Sequence, residues 1–148
     1  MIHIGVSNED TEKIIKHDDM WDYLTDDGSV EKDDYEVPEA WINAVAYVDD
    51  SPAAFICIAQ CNFVTAEIHF GVHPEYRSIS KKLGDALLKW AWDNTEYMKM
   101  IAMTHADVVR DFALSVGFRT EGINAASFLK NGKLTDQTYL GVIRCLQQ

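Results

Sequence analysis

The sequence has too few cysteines for a disulfide framework and no apolar run long enough to cross a membrane. Its three cysteines, Cys57, Cys61 and Cys145, are odd in number and lack the spacing of zinc ligands. Cys57 and Cys61 lie in apolar strand context, so we interpret all three as reduced thiols. A membrane span needs about 20 consecutive apolar residues, and the N-terminus lacks a signal-peptide pattern. We therefore expect a cytoplasmic protein with no membrane partner.

Positive charge is scarce in the first third of the chain. Residues 1–50 contain fifteen Asp and Glu residues against three Lys, a net charge of -12, whereas residues 51–148 contain nine acidic and ten basic residues. Nucleic-acid binding requires a basic face, so this distribution argues against a nucleic-acid partner. Either the acidic half is an ordinary solvated surface, or it forms a rim that attracts a cationic acceptor such as an amine.

Internal repeats and long linkers are also missing from the sequence. The chain has 148 residues, of which 47% are hydrophobic and 25% are charged, an ordinary composition for a globular protein. This length suffices for a real core. We therefore expect one domain over residues 1–148.

The most regular part of the sequence runs from Thr65 to Trp92. Alternate residues over 64–72 are apolar, which predicts a strand with one buried face, and Pro74 ends that strand. Over 79–94 apolar residues recur at the period of an amphipathic helix. A strand that leads through a turn with free amides and cations into a helix suits a phosphate-bearing ligand.

The remaining pattern completes the element order. It predicts strands over 1–7, 41–48, 53–59, 98–103, 119–130 and 133–145, helices from about 8, over 17–28 and over 107–116, and an acidic irregular loop over 29–39. Asn131-Gly132 is a type I′ hairpin signal between the last two strands. We therefore predict an α/β (α+β) fold, with a single mixed, mostly antiparallel twisted sheet of six or seven strands and about four helices on its faces.

Three stretches of the sequence carry a family resemblance. They are the strand and turn AEIHFGVHPEYR (66–77), the helix after it, and FALSVGFRTEGINAASFLKNGKLTDQ (112–137). With the element order, they resemble the GNAT N-acetyltransferase superfamily, and the last stretch is similar to the ending of its ribosomal-protein and spermidine-type branch. The opening segment 17–28 resembles that of small phage-encoded members. Such an origin implies the host cytoplasm, or the virion, as the location.

The resemblance implies acetyl-coenzyme A as the co-substrate and no metal. Family members pair the pantetheine amides with the free edge of the fourth strand, here about 69–73, and seat the pyrophosphate on amides of the next turn and helix start, here 77–82. The candidate cofactor-binding residues are therefore Phe70, Gly71, Val72, Arg77, Ser78, Ser80, Lys81 and Lys82. The alternative is a plain strand–helix connection with solvated lysines.

Two departures from the family pattern leave a second interpretation open. The turn that includes Arg77, Ser80 and Lys82 lacks the two family glycines, and Gly84 comes too late to replace them. Many members have a tyrosine four residues before the Gly-Phe pair that protonates the leaving thiolate, and this chain has Ala113 there. The alternative is therefore a catalytically inactive GNAT-fold phage protein with a binding or virion-associated role.

Glu67 is the candidate general base for acetyl transfer, a reaction in which an amine must lose a proton. It matches a position where several family members keep a catalytic glutamate. His69 lies on the same strand face and could relay a proton or orient Glu67. For both residues a purely structural role stays open. With His73, the two could also suggest a metal site, but residues two apart on a strand lie roughly 6.5–7 Å apart and seldom converge on one ion.

Asp26 and Asp27 are candidates for binding the substrate amine, because the resemblance places them near the acceptor side. A role at the end of the preceding helix is the alternative. The function we expect is acetyl-CoA-dependent N-acetyl transfer by direct attack of an amine borne by a small molecule, a peptide or a protein. The closing hairpin and Trp92 offer surfaces through which a homodimer could form.

Overall fold

A seven-stranded sheet forms the centre of the computed structural model, which describes residues 1–144. Its spatial order is β1-β2-β3-β4-β5-β7-β6, and β4–β5 is the one parallel pair in this sheet. The strands are β1 (Ile2–Val6), β2 (Ile42–Val48), β3 (Ser51–Gln60), β4 (Thr65–Val72), β5 (Lys99–Thr104), β6 (Arg119–Lys130) and β7 (Lys133–Ile143). The predicted mixed, mostly antiparallel sheet is therefore confirmed. Cys145 lies outside the described residues.

Four α-helices cover the two faces of the sheet, as predicted. They are α1 (Asn8–Ile15), α2 (Asp18–Leu24), α3 (Ser80–Asn94) and α4 (Asp107–Ser115), and two short 3-10 helices span Lys32–Asp34 and Pro74–Ile79. The helix predicted over 17–28 ends earlier, because Thr25 is extended and its hydroxyl donates to the Trp21 carbonyl at 2.7 Å. No helix within residues 1–144 is long and apolar enough to span a bilayer.

Local chemistry fixes the helix starts and hairpin turns. Ser7 begins α1, and its Oγ accepts a hydrogen bond from the Asp10 amide at 3.0 Å. Asn131 and Gly132 both have positive φ, 52° and 75°, as a type I′ turn requires. The predicted closing hairpin is therefore confirmed.

The strand β4 divides the core into two layers by residue parity. Ala66, Ile68 and Phe70 are buried on the side of α3 and α4. The opposite side carries a second cluster with α1 and α2, which includes Ile14, Phe55 and other buried residues. Each layer buries the apolar face of two helices, and burying one such side chain contributes about 1.5–3 kcal/mol.

Arg144 fastens the end of α3 to the end of β7. Its guanidinium donates to the carbonyls of Trp92, Thr95 and Tyr97 at 3.0, 2.8 and 2.8 Å, and lies 4.8 Å from the centroid of a Trp92 ring. The Trp92 ring is thus engaged within the chain. A homodimer through this residue or the hairpin stays a prediction.

Gly84 lies at the contact between α3 and α4. A Cβ at this position would lie 2.7 Å from Cγ1 of Val116 and 2.8 Å from Cε1 of Phe112. The missing side chain therefore sets how closely α4 packs on α3. Phe112 in turn packs on Phe70 of β4, with ring centroids 4.7 Å apart.

We predict that Gly84→Ala destabilises the protein. In an ordinary helix interior this change is stabilising by roughly 0.5–1 kcal/mol. Here the overpacking costs about 1–3 kcal/mol, so we expect the free energy of unfolding in urea to fall by about 1–2 kcal/mol. The control Asp85→Ala, at the next and exposed position, should change it by no more than about 0.5 kcal/mol. An unchanged or higher value for Gly84→Ala would contradict the close approach of the two helices.

Candidate functional site

The strands β4 and β5 separate shortly after they pair. Their parallel ladder joins Thr65–Glu67 to Lys99–Ile101 and stops there. On its other edge, β4 continues to pair with β3 as far as Val72. Within the described residues, the β5 side of β4 beyond Glu67 has no partner strand.

The open edge of β4 presents backbone donors and acceptors. The His73 amide donates to the Ala53 carbonyl of β3 at 2.8 Å. Because alternate residues of an antiparallel strand direct their amides to opposite sides, the N–H and C=O groups of Phe70 and Val72 point away from β3. These groups are available to an extended ligand laid along the strand.

A cavity of about 350 Å³, which we name the cleft cavity, runs along this edge between β4 and α4. Five predicted cofactor-binding residues line it, namely Phe70, Gly71, Val72, Arg77 and Ser80. The cavity therefore connects the open strand edge to the start of α3.

The three other predicted cofactor-binding residues, Ser78, Lys81 and Lys82, are exposed outside this lining. The Lys81 ammonium contacts Asp85 at 2.8 Å, four residues further along α3. Lys82 does not plug the cavity. Only Arg77 therefore brings positive charge directly into the cleft cavity.

Arg77 is held over the cleft cavity by α2. Its guanidinium donates to the Met20 sulfur at 3.6 Å and lies 5.6 Å from the centroid of the Tyr23 ring. The acidic residue in the lining is Asp111. Arg77 is consequently positioned to neutralise an anionic ligand at the α3 end of the cavity.

The amides of the turn after Pro74 are largely used within the turn, which differs from the expected free amides. The Glu75 amide donates to His73 Nδ1 at 3.2 Å, and the Tyr76 amide donates to the His73 carbonyl at 2.9 Å. The Ser80 amide donates to the Arg77 carbonyl. The physical reason is that the turn winds as a 3-10 helix, which satisfies its own donors.

The start of α3 adjoins the cleft cavity through Ser80, the first residue of the helix. Ile79 is its N-cap and no side chain within residues 1–144 caps it. The amides of the first helical turn lack intrahelical acceptors, and those of Lys81 and Lys82 belong to this turn. The positive end of the helix dipole adds to their attraction for a negatively charged group.

A second cavity of about 200 Å³, the splay cavity, opens where β4 and β5 diverge. Glu67 and His69 of β4 line it together with His105, which follows β5, and Gln137 of β7. The two predicted catalytic residues are thus in the same cavity. It shares Tyr23, Phe70 and Val109 with the cleft cavity, so the two adjoin.

His69 is packed rather than free in this cavity. Its ring stacks on Trp41 with centroids 5.0 Å apart and an interplanar angle of 19°. Burial lowers the pKa of His69, and the nearby Glu67 carboxylate opposes this shift. His69 is therefore neutral near pH 7 and can hydrogen-bond without adding charge.

His105 is the functional candidate that the sequence analysis missed. Its ring stacks on Phe128 of β6 with centroids 4.0 Å apart and an interplanar angle of 12°. Burial lowers its pKa, and the charge of Lys130 lowers it further. Its position directly after a strand that ends at the site was the available sequence signal.

Asp27 joins two loops rather than facing either cavity. Its carboxylate accepts the amides of Asn131 and Gly132, both at 2.8 Å, and these hydrogen bonds lower its pKa. Asp26 accepts the Gly28 amide at 2.9 Å within its own loop. Asp27 thus makes a structural contact, and the predicted role of Asp26 and Asp27 in amine binding stays a prediction.

In residues 1–144, no group of three or more His, Cys, Asp or Glu side chains is arranged to hold a metal ion.

We predict that Asp27→Asn lowers the midpoint of thermal unfolding at pH 7, because a neutral amide accepts the two hairpin amides more weakly. The folded-state pKa of Asp27 is depressed below its ordinary value of 3.8. The stabilisation is therefore fully present above about pH 4 and is lost as the pH falls through the depressed pKa. Melting curves at pH 7 and pH 3 should show the difference between wild type and variant shrinking at the lower pH. A constant difference would contradict the charge-dependent contact, and Asp26→Asn serves as the neighbouring control.

A protein-family model and several solved structures, all of acetyltransferases, match this chain. The model of the acetyltransferase (GNAT) family matches residues 8–118. The structure is similar to a spermidine N-acetyltransferase of Vibrio cholerae in complex with CoA and spermine, with 14% identity, a TM-score of 0.76, and coverage of 96% of this chain and 95% of that one.

Two further solved structures share this fold. The yncA protein of Salmonella typhimurium with its cofactor acetyl-CoA is 19% identical, with a TM-score of 0.73 over 100% of this chain and 96% of that one. A GNAT-family acetyltransferase of Streptococcus pneumoniae is 13% identical, with a TM-score of 0.71 over 97% and 100%. A search of the curated proteins finds no match.

Proposed function

The chain belongs to the acetyltransferase (GNAT) family, and on that premise we propose that it transfers the acetyl group of acetyl-CoA to an amine by direct attack. The observation that carries the proposal is the junction of the cleft cavity with the splay cavity. There, a free strand edge and an anion-binding helix start lead to a cavity that contains a carboxylate and two histidines. The acceptor amine belongs to a small molecule, a peptide or a protein.

The residues of the cleft cavity fit acetyl-CoA. The free backbone groups of Phe70 and Val72 suit the amides of a pantetheine arm. Arg77, with the amides of Lys81 and Lys82, would hold the pyrophosphate at the positive end of α3. Acetyl-CoA supplies an acetyl group as a thioester, whose carbonyl carbon bonds to the amine nitrogen as the carbon–sulfur bond breaks.

Glu67 is proposed to take the proton of the acceptor ammonium. An amine near pH 7 is largely protonated and has no lone pair for attack, so a carboxylate at the site of reaction supplies the base. Glu67 occupies the last residue pair of the β4–β5 ladder, opposite Ile101, and lines the splay cavity. This location lets it reach an acceptor that enters from the side of α1 and α2.

His69 and His105 are proposed as positioning residues for the acceptor and for Glu67. Both rings are fixed by stacking, His69 on Trp41 and His105 on Phe128. Their lowered pKa values keep them uncharged, so neither repels a cationic amine. A neutral imidazole can donate one hydrogen bond and accept another, which suits a relay between amine and carboxylate.

One observation favours the non-catalytic alternative. Ala113, at the position where many family members have a thiolate-protonating tyrosine, is fully buried and carries no acidic group. Helix α4 therefore provides no proton donor at this position. The following two experiments decide between an enzyme and a binding protein.

We predict that the protein binds acetyl-CoA and that Arg77→Gln weakens this binding about tenfold, since hydrogen bonds to charged groups contribute about 1.5–3 kcal/mol. Isothermal titration calorimetry measures the dissociation constants. Lys89→Gln is the matched control, because Lys89 is an exposed cation on α3 that pairs with Asp93 away from the cavity. Absence of binding to wild type at high-micromolar ligand would exclude the proposed enzyme.

We predict that Glu67→Gln lowers kcat/KM for acetyl transfer by roughly 10²–10⁴-fold, the usual contribution of a general base. Release of free CoA thiol, measured with a panel of primary amines that includes spermidine and lysine, gives the rate. The affinity for acetyl-CoA should not change, because Glu67 lies outside the cleft cavity. The control Glu96→Gln alters an exposed carboxylate in the α3–β5 connection. Equal rates for wild type and Glu67→Gln would remove Glu67 from the mechanism.

A further inference from the structure

A third cavity, of about 190 Å³, lies on the α1–α2 side of the sheet and has walls made of aromatic rings. Its walls include Trp21 of α2, Tyr35 of the acidic loop, Trp41 before β2 and His69 of β4, and Cys57 of β3 also lines it. We name it the aromatic cavity. No step proposed above uses it.

The rings form two contacting pairs from four separate segments of the chain. Trp21 and Tyr35 meet edge to face, with centroids 5.6 Å apart and an angle of 71°. Trp41 and His69 stack with centroids 5.0 Å apart. These rings are only partly buried, so the cavity between them is open to a guest from solvent.

The lining of the aromatic cavity is uncharged. Burial raises the pKa of the Cys57 thiol to about 12 and that of the Tyr35 phenol to about 12, so both keep their protons. Burial lowers the pKa of His69, which keeps the imidazole neutral. The main electrostatic feature of the walls is consequently the negative potential of the ring faces.

Carboxylates are frequent in the segment that carries Tyr35. The segment 31–39 that carries this residue has five acidic side chains and one lysine. Glu12 holds the same segment, because its Oε2 accepts a hydrogen bond from the Val37 amide at 3.1 Å. Its negative charge also contributes to the raised pKa of the Tyr35 hydroxyl. The surroundings therefore favour a cation over a neutral or anionic guest.

We propose that the aromatic cavity is a cage for an organic ammonium group. Ammonium ions bind the faces of tryptophan and tyrosine rings within about 6 Å of the centroid, and quaternary and methylated ammonium groups are held this way. A compact head group of a few heavy atoms suits a cavity smaller than the roughly 300–1,000 Å³ of drug-sized ligand sites.

The source of the ammonium group is the acceptor itself, and this part of the inference rests on the proposed function. His69 and Leu24 line both the aromatic cavity and the splay cavity. The His69 ring therefore lies between a cation in the aromatic cavity and the splay cavity that contains Glu67. We infer that the acceptor carries a second cationic centre in addition to the amine that reacts.

The test of the cage uses choline and its neutral isostere 3,3-dimethylbutan-1-ol, titrated into the full chain without acetyl-CoA. Chemical-shift changes in NMR spectra or calorimetry give the two dissociation constants. Because the pair differs in charge but hardly in shape, we expect choline to bind about tenfold more tightly. Equal or weaker binding of choline would overturn the cage and indicate a merely apolar pocket.

Variants at Tyr35 test the contribution of its ring. Tyr35→Leu should weaken choline binding about fivefold, whereas Tyr35→Phe keeps the ring and should retain the affinity. Phe63→Leu is the control, since Phe63 is 90% exposed and lies outside the cavity. Circular dichroism spectra confirm that each variant is folded. Loss of binding in Tyr35→Phe as well as Tyr35→Leu would contradict a ring-face contact.

The acceptor is tested with 1,5-diaminopentane and pentylamine, which share a chain but differ by one ammonium. We expect a KM about tenfold lower for the diamine in wild type and a reduced difference in Tyr35→Leu. Equal KM values with intact choline binding would overturn the assignment of the cation to the acceptor. Choline binding without acetyl-CoA binding would instead overturn the proposed function and leave the cage.

Discussion

The early separation of β4 from β5 is the constraint on which the rest of the site depends. β5 pairs with β7 on its other edge along its whole length, whereas its parallel ladder with β4 ends at Glu67. Backbone groups along an unpaired edge must find partners in water or in a ligand. The helix α4, which packs closely on α3 at Gly84, lines the cavity beside this edge. Strand edge, cavity and helix start together form the surface on which acetyl-CoA is proposed to bind.

Successive side chains of β4 point to opposite faces of the sheet, so this one strand contributes to the proposed sites of both acetyl-CoA and the acceptor amine. Its even-numbered residues pack toward α3 and α4, and its odd-numbered residues point toward α1 and α2. Glu67 and His69 consequently face α1 and α2, which belong to the acidic N-terminal half of the chain. The open edge of β4, where the cofactor is proposed to bind, lies at the gap between β4 and β5. The charge asymmetry of the sequence, with -12 in residues 1–50, lies on the side where a cationic acceptor would enter.

Features that depend on neighbouring residues were predictable from sequence, and those that depend on distant contacts were not. The alternation of β4 and the turn at Asn131-Gly132 each follow from local chemistry. The hairpin contact of Asp27 joins residues 104 positions apart, and the stacking of His105 on Phe128 also requires the assembled sheet. The 3-10 helix after Pro74 was not predictable although its hydrogen bonds are local, because a proline at the start of a turn is compatible with several turn types.

The loop that contains Asp27 and the tip of the β6–β7 hairpin form one rigid corner of the molecule. Besides the Asp27 carboxylate, the Asp27 amide donates to the Leu129 carbonyl at 2.9 Å and the Lys130 ammonium donates to the Thr25 carbonyl at 2.8 Å. Exposed hairpin tips are normally suitable for epitope tags, circular permutation or domain insertion. In this protein the tip is hydrogen-bonded to the loop after α2. A sequence inserted at Asn131-Gly132 would therefore disturb α2 and the residues that α2 contributes to both cavities.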